Sequence, residues 1–320
     1  MKIPIHESFR GSTIAEYLCV LWPERPRRVI DDLFARGRIR SGGMPSSPRR
    51  ILENVSDLEL VGTLDDLPTI FQKGGTDAGI SPGIQILHED ERIAAISKPS
   101  GVPVIPDRSR EGESCLGLLT RHELRSRAEK PPEAMIRYRT VHRIDRLTSG
   151  LVLFARTPES ERRLSADFEN RRVQKEYLAI LRGVVEPAMF AVHCPVTPGR
   201  KGKMRAAVGA GAVGPGGSPA GDAITDFEVI ERFDGFTFVR ARPLTGRTHQ
   251  IRVHAWAAGY PLAVDPLYGA KNGGPLPGMA RLSLHARRYG LPEDWDDPRA
   301  FESPIPEDFA SALEALRRGI

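Results

Sequence analysis

A chain of 320 residues with 46 Lys and Arg against 41 Asp and Glu has a formal charge of +5, and 40% of its residues are hydrophobic. That describes a globular protein with room for two domains of ~100–200 residues and a core that needs no covalent staples. Cys19, Cys115 and Cys194 are the only cysteines; they are too scattered for a disulfide framework or a close pair of metal ligands, and they suit a reducing cytoplasm. The longest strictly apolar run, Tyr17 to Trp22, falls far short of the ~20 residues that cross a bilayer. His6, Glu7 and Arg10 interrupt the N-terminal stretch where a secretory signal needs apolar residues. Neither membrane insertion nor secretion is expected.

In chain order, Ser12 is placed to cap a helix with Ile14, Leu18 and Leu21 on one face. A second helix is expected from Pro26 in its first turn to Gly37 as its stop. Residues 25–50 hold eight arginines against Asp31 and Asp32, whereas residues 51–80 carry a net −5. Residues 66–82, with Gly74 and Gly75, read as a linker that closes a small basic module. From Ile84 the pattern changes to short strands: "IQILHED", "RIAAIS", "SGLVLFAR" at 149–156, "KEYLAILRGVV", "ITDFEVIERF" and "FTFVRAR". A helix capped by Thr157-Pro158-Glu159 interrupts them, with Leu164 and Phe168 on one face. Strands that follow one another without regular crossover helices give an α+β fold, built on a mixed, mainly antiparallel sheet. Residues 1–80 are neutral overall and residues 291–320 carry −5, so residues 81–290 carry +10. Of all the cations 38 are Arg, the residue whose planar fork suits phosphate.

Several functions are excluded by what is missing. Gly209, Gly211 and Gly214 spell G-x-G-x-x-G inside the Gly-rich stretch 209–221, but Pro215-Gly216-Gly217 forbids the helix that a dinucleotide site requires. The chain has no phosphate-binding G-x-x-x-x-G-K-[ST] and no G-x-S-x-G nucleophile elbow. His249 and His254 are i, i+5 on an expected helix and point apart, so no metal is expected.

Three stretches instead crowd polar groups into strand-like sequence. The first is His142-Arg143-Ile144-Asp145-Arg146-Leu147-Thr148-Ser149-Gly150, where flanking arginines would keep Asp145 ionised. The second is Lys175-Glu176-Tyr177. The third is "RPLTGRTHQIRVHAWAAG" at 242–259, with a turn at Thr245-Gly246 and a helix beginning near Thr248 that buries Ile251, Ala255 and Ala258. Its N-terminus, dressed with Arg247, Thr248 and His249, suits an anion.

Taken in order, "HRIDRLTSG", "KEYLAIL", "TGRTHQIRVH" and "RLSLHA" at 281–286 resemble the RluA family of RNA pseudouridine synthases, from about residue 86 to about residue 290. The first 65 residues resemble the alpha-L RNA-binding module, with Ser41-Gly42-Gly43 where an asparagine-containing turn is usual. The resemblance implies a module at 1–65, a linker at 66–82, a catalytic domain at 83–290 and an acidic extension at 291–320. It also implies conversion of a uridine within RNA to pseudouridine, without a cofactor; a monomer is assumed, and the cysteine usage suits the cytoplasm. The N1–C1′ bond breaks, the uracil turns, and its C5 bonds to C1′.

By the same resemblance Asp145 is the essential carboxylate, as nucleophile or as base on a ribose proton. Arg252 holds it, and Tyr177 stacks on the uracil and takes the C5 proton. Arg143 stabilises the flipped base, Arg146, Thr148, Arg247 and His249 bind substrate, and Leu151, Ile251 and Leu284 wall the base. "YPLAVDPLYG" departs from the family at Val264 and Pro266 and is expected to support the site floor. The basic appended module favours a large structured RNA such as large-subunit ribosomal RNA over transfer RNA. A catalytically silent RNA-binding or ribosome-assembly protein is the alternative; loss of Asp145, Tyr177 or Arg252 would have favoured it, and all three are present.

Overall fold

The computed structural model describes residues 2–3, 5, 13–22, 27–62, 84–105, 114–119, 138–199, 203–206, 222–269, 276–296 and 299–319. Ser12, Pro26, the 66–82 segment and the Gly-rich stretch 209–221 lie outside them. The chain divides into two compact units, residues 1–82 with 105–138, and residues 83–104 with 139–320.

The first unit opens with α1 (Ile14–Leu21), whose described cap is Thr13: its hydroxyl accepts from the Glu16 amide while the Glu16 carboxylate accepts from the Thr13 amide. This reciprocal pair satisfies two of the amides left open at a helix start. Then comes α2 (Arg27–Ala35), closed by Gly37 at φ 63°, the left-handed stop that glycine adopts at low cost. The short strands β1 (Ile39–Ser41), β2 (Met44–Pro45) and β3 (Glu59–Leu60) form an antiparallel sheet in the order β2-β1-β3. Leu18, Ile30, Leu33, Ile39, Leu52 and Leu60 fill the core between helices and sheet. Part of the basic run is engaged internally, since Arg36 pairs with Asp32 and Arg38 donates to the Val61 carbonyl.

The second unit is built on one ten-stranded sheet. Its path runs β4 (Gln85–Glu89), β5 (Ile93–Lys98), β7 (Ser149–Ala155), β14 (Leu284–Gly290), β8 (Gln174–Arg182), β13 (Phe236–Pro243), β12 (Ile224–Phe233) and β9 (Met189–His193), with β6 (Arg139–Thr140) beside β7 and β15 (Ala300–Glu302) beside β14. Only the β7–β14 pairing is parallel, so the sheet is mixed and mainly antiparallel. β10 (Val196–Pro198) and β11 (Met204–Ala206) form a separate hairpin.

Side-chain alternation sorts the residues of β8 into two layers. Ala179 and Leu181 meet Ile251 and Ala255 of α4 (Gln250–Ala257) on one face. Leu178 and Ile180 share a cluster with Phe309, Leu313 and Leu316 of α5 (Glu307–Arg318) on the other. α3 (Pro158–Glu169) has the expected Thr157 cap, with Leu164 fully buried. The helix expected near Thr248 begins instead at Gln250, because His249 takes a left-handed conformation at φ 57°. Ala258 caps it and is only partly buried. Among the described residues no helix is long and apolar enough to cross a membrane.

Gly150 marks where the sheet is tightest. It sits at φ 114°, and a Cβ there would overlap the Ala286 backbone on the neighbouring parallel strand. Both constraints favour glycine at the end of "HRIDRLTSG". Gly150→Ala should therefore destabilise the protein by about 3 kcal/mol or more in urea denaturation, since it adds strain at positive φ to a backbone overlap. An unchanged midpoint would show that the two strands are not this close.

Candidate active site

Asp145 lies in a loop fixed from two sides. Behind it runs β7, buried on both faces. Beneath it the 98–102 loop grips the chain: Lys98 Nζ donates to the carbonyls of Pro99, Val102 and Arg146, Ser100 Oγ donates to the Leu147 carbonyl at 2.6 Å, and the Gly101 amide and carbonyl bond the Arg146 carbonyl and Nε, both at 2.8 Å. Lys98 is 1% exposed, so its ammonium is solvated by three carbonyl dipoles in place of water.

The partner of Asp145 comes from α4. Arg252, buried with 3% of its side chain exposed, donates from Nη1 to Asp145 Oδ2 at 3.0 Å and grips Asp265 with Nε and Nη2 at 2.7 and 2.8 Å. Asp265 is itself wholly buried and accepts the amides of Leu267 and Tyr268, a turn in which an aspartate bonds its own following backbone. The planar fork of arginine can hold one carboxylate in two bonds and still reach a second, which a lysine ammonium cannot. Gln250 anchors the start of the helix, accepting from Thr245 Oγ1 and the Arg247 amide and donating to the Ile224 carbonyl and Thr225 Oγ1.

His249 completes this side. Its Nε2 stands 3.8 Å from Asp145 Oδ2, and its Nδ1 is 2.8 Å from the Tyr268 hydroxyl. That hydroxyl also accepts the Met204 amide at 2.7 Å. Burial lowers the pKa of the His249 ring.

A cavity of about 520 Å³ opens in front of Asp145, the size class of small-molecule sites. Tyr177 faces it from β8, and its hydroxyl bonds that of Tyr289 at 2.9 Å. Tyr289 reaches this face through a bulge. Ala286 pairs with Tyr177 and Arg288 with Glu176, which leaves Arg287 as an extra residue and returns Tyr289 to the side of Leu284. Burial pushes the Tyr177 phenol up to about 12, with the Asp145 charge adding to it and the Tyr289 bond opposing. His142 stacks on Phe168 with its ring edge toward Tyr289, accepts the Leu153 amide on Nε2, and is pushed by burial down to about 3. Beyond it lie Lys175 and Arg171, the latter in the left-handed region at φ 61° just after α3. Glycine is usual there, and a side chain costs roughly 1–2 kcal/mol.

The structure brings most of the expected residues together. Asp145, Tyr177, Arg252, Arg143, Thr148, Arg247, His249, Ile251 and Leu284 line the cavity. Arg146 and Leu151 do not, and the expectation that Leu151 walls the base is corrected. Arg146 turns to the Gly101 carbonyl, while Leu151 is fully buried on β7 between two neighbouring strands. Nor do the flanking arginines pair with Asp145; Arg252, 107 residues along the chain, does. His254 is structural, with Nε2 on the Cys194 carbonyl and Nδ1 on Thr225 Oγ1, and no metal-binding group of ligands occurs among the described residues. Tyr289 and Lys98 were not foreseen at the site, while Lys175 and Asp265 stood in stretches singled out from the sequence without a role of their own. For Asp265 the signal was an acid in a turn-forming "VDPLYG"; for Tyr289 the bulge hides it from any strand periodicity.

A carboxylate held by a buried arginine, a facing tyrosine and a cationic rim on this mixed sheet form a site of the kind that acts on a polyanionic substrate. Residues 92–257 match the family model described as RNA pseudouridylate synthase. Ribosomal large subunit pseudouridine synthase D of Pseudomonas aeruginosa is 32% identical over 96% of this chain and 93% of its own length. Ribosomal large subunit pseudouridine synthase C of Vibrio vulnificus is 35% identical over 72% of this chain and 69% of its own. The solved human RNA pseudouridylate synthase domain containing 4 shares the fold, with a TM-score of 0.55 and 24% identity over 72% of this chain and 92% of that one. The chain belongs to the RluA family of RNA pseudouridine synthases, isomerases of RNA uridines.

Two outcomes follow from the geometry. Asp265→Asn leaves Arg252 without its buried counter-charge, so stability should fall by about 3–5 kcal/mol in urea denaturation and turnover should fall with it; wild-type stability would show that the pair is not buried. His142 is neutral in the fold, whereas its ring in the unfolded chain takes a proton near 6.5. Its contribution is complete above pH 6.5 and is lost as pH falls toward 3, by up to ~1.4 kcal/mol per pH unit. His142→Gln, which keeps an acceptor for Leu153, should flatten that acid limb. An acid limb as steep as wild type would assign it elsewhere.

Proposed function

We propose that the chain isomerises a uridine of large-subunit ribosomal RNA, with Asp145 as the reacting carboxylate, Arg252 as its holder and Tyr177 as the surface against the uracil. One observation carries the assignment of Asp145. Arg252 and His249 address Oδ2, while Oδ1 has no protein partner among the described residues and Asp145 lines the cavity. A ribose placed there would meet that free oxygen, which acts on it as nucleophile at C1′ or as base on a ribose proton. The uridine must first leave its stack, at a cost of a few kcal/mol. Arg143 and Arg247, exposed on the cavity rim without ion pairs among the described residues, are suited to offset it by binding phosphates.

The Tyr177 assignment is narrower than a standing general base. A phenol pushed up to about 12 is neutral throughout the physiological range, so its ring and hydroxyl, rather than a phenolate, meet the base. To take the C5 proton its oxygen has to release its own, and the Tyr289 hydroxyl is its bonded neighbour. The ribosomal substrate is supported by the names of the relatives from Pseudomonas aeruginosa and Vibrio vulnificus. The eight arginines between residues 25 and 50 support RNA binding by the first unit.

Mass-spectrometric mapping of pseudouridine in total RNA from cells lacking the gene tests this directly. One or a few large-subunit sites should disappear and return with the wild-type gene but not with Asp145→Asn. Restoration by Asp145→Asn would remove the carboxylate from the chemistry, and sites lost from transfer RNA instead would overturn the substrate.

A further inference from the structure

The cavity continues past Tyr177 to a wall that no part of the uridine chemistry uses. Lys175 and Tyr177 are two residues apart on β8 and both face the cavity, a separation of ~7 Å along a strand. Lys175 is partly buried, and its one hydrogen bond among the described residues goes to the Thr245 carbonyl at 3.2 Å, with no carboxylate of those residues in ion-pair range. Arg171 lies close enough for its charge to bear on Lys175, is exposed, and has no side-chain partner among the described residues. Glu169, the one other acid on the cavity wall besides Asp145, pairs with neither. Two like charges thus stand together at a half-dry wall with their donors unspent, which is costly unless an anion joins them. Burial and the Arg171 charge hold the Lys175 ammonium down at about 8, the direction expected where a counter-anion is missing. Arg171 also occupies a left-handed position at which glycine would be relaxed.

We propose that Arg171 and Lys175 form a phosphodiester site for the nucleotide adjoining the target uridine, distinct from the groups at the reacting ribose. The proposal rests on the RNA reading above. Its ligand is a single backbone phosphate: the guanidinium fork takes two of its oxygens, and the ammonium, set back in the cavity, adds a point charge. Anchoring the chain one nucleotide away fixes where the extruded uridine enters, so the site acts on substrate binding and not on the chemical step.

The test uses the full chain and an unmodified transcript of large-subunit ribosomal RNA carrying tritium at uridine C5, which isomerisation releases. KM and kcat are measured across a salt series. Arg171→Gln with Lys175→Gln should raise KM about tenfold, leave kcat within about twofold, and flatten the log–log salt slope by about 0.7, the share of the one phosphate contact removed. Lys175→Arg, which keeps the charge, should retain the wild-type slope. Arg171→Gly should melt at a higher temperature than wild type while showing the flattened slope, a combination that a purely structural role for Arg171 would not give. Arg162→Gln, an exposed charge on α3 outside the cavity wall, serves as control. An unchanged slope in the double variant, or an equal flattening by Arg162→Gln, overturns the site while leaving the synthase assignment intact. A wild-type chain that releases no tritium from this transcript overturns the ribosomal reading, and the adjoining-nucleotide assignment with it.

Discussion

Arg252 between Asp145 and Asp265 is the interaction on which the site depends. A guanidinium taken this far from water is tolerable only with its charge balanced and its donors engaged. Asp265 supplies two bonds and Asp145 one. The two acids do different work because their surroundings differ. Asp265 is sealed and bonded to two backbone amides, whereas Asp145 is 23% exposed and keeps one oxygen toward the cavity. One arginine therefore ties the Asp145 loop to the floor and engages Oδ2, leaving Oδ1 without a protein partner among the described residues.

Much of the second unit serves to deliver these three side chains to one place. Lys98 and Ser100 pin the loop that carries Asp145, Gln250 pins the turn that starts the arginine's helix, and Gly150 lets β7 and β14 come together behind both. Strain sits close by, at the left-handed His249 and Arg171. Backbone in such regions persists where the surroundings over-determine it, and that is common around binding sites.

The electrostatics are graded across the cavity. Around Asp145, acid and base are matched through Arg252. Deeper in, His142, Tyr177 and Tyr289 form a neutral aromatic wall, since burial disfavours the charged form of each. Outward, the exposed Arg143, Arg171 and Arg247, with Lys175 set back behind Arg171, have no ion pairs among the described residues. Under the proposed function, a uracil suits the neutral part and a phosphate the cationic part.

The sequence alone determined the class of fold, the reaction family and the motifs that carry Asp145, Tyr177 and Arg252. Those properties are written in short-range patterns: strand alternation, helix caps, and polar residues crowded into apolar stretches. Spacing alone offered Arg143 and Arg146 as the charges beside Asp145, because adjacency along the chain is the only distance it gives, and the family motif pointed to Arg252. Tertiary structure shows the geometry: Arg252, 107 residues away, holds the carboxylate, Arg146 is drawn into a backbone clamp, and Leu151 lies in a strand buried on both faces. It also supplied Asp265, and it supplied Tyr289 through one extra residue in β14. A bulge shifts side-chain parity by one, and parity is what strand periodicity reads. Which side chains share a cavity depends on how strands pair across the sheet, a long-range choice settled by burial and backbone hydrogen bonding together.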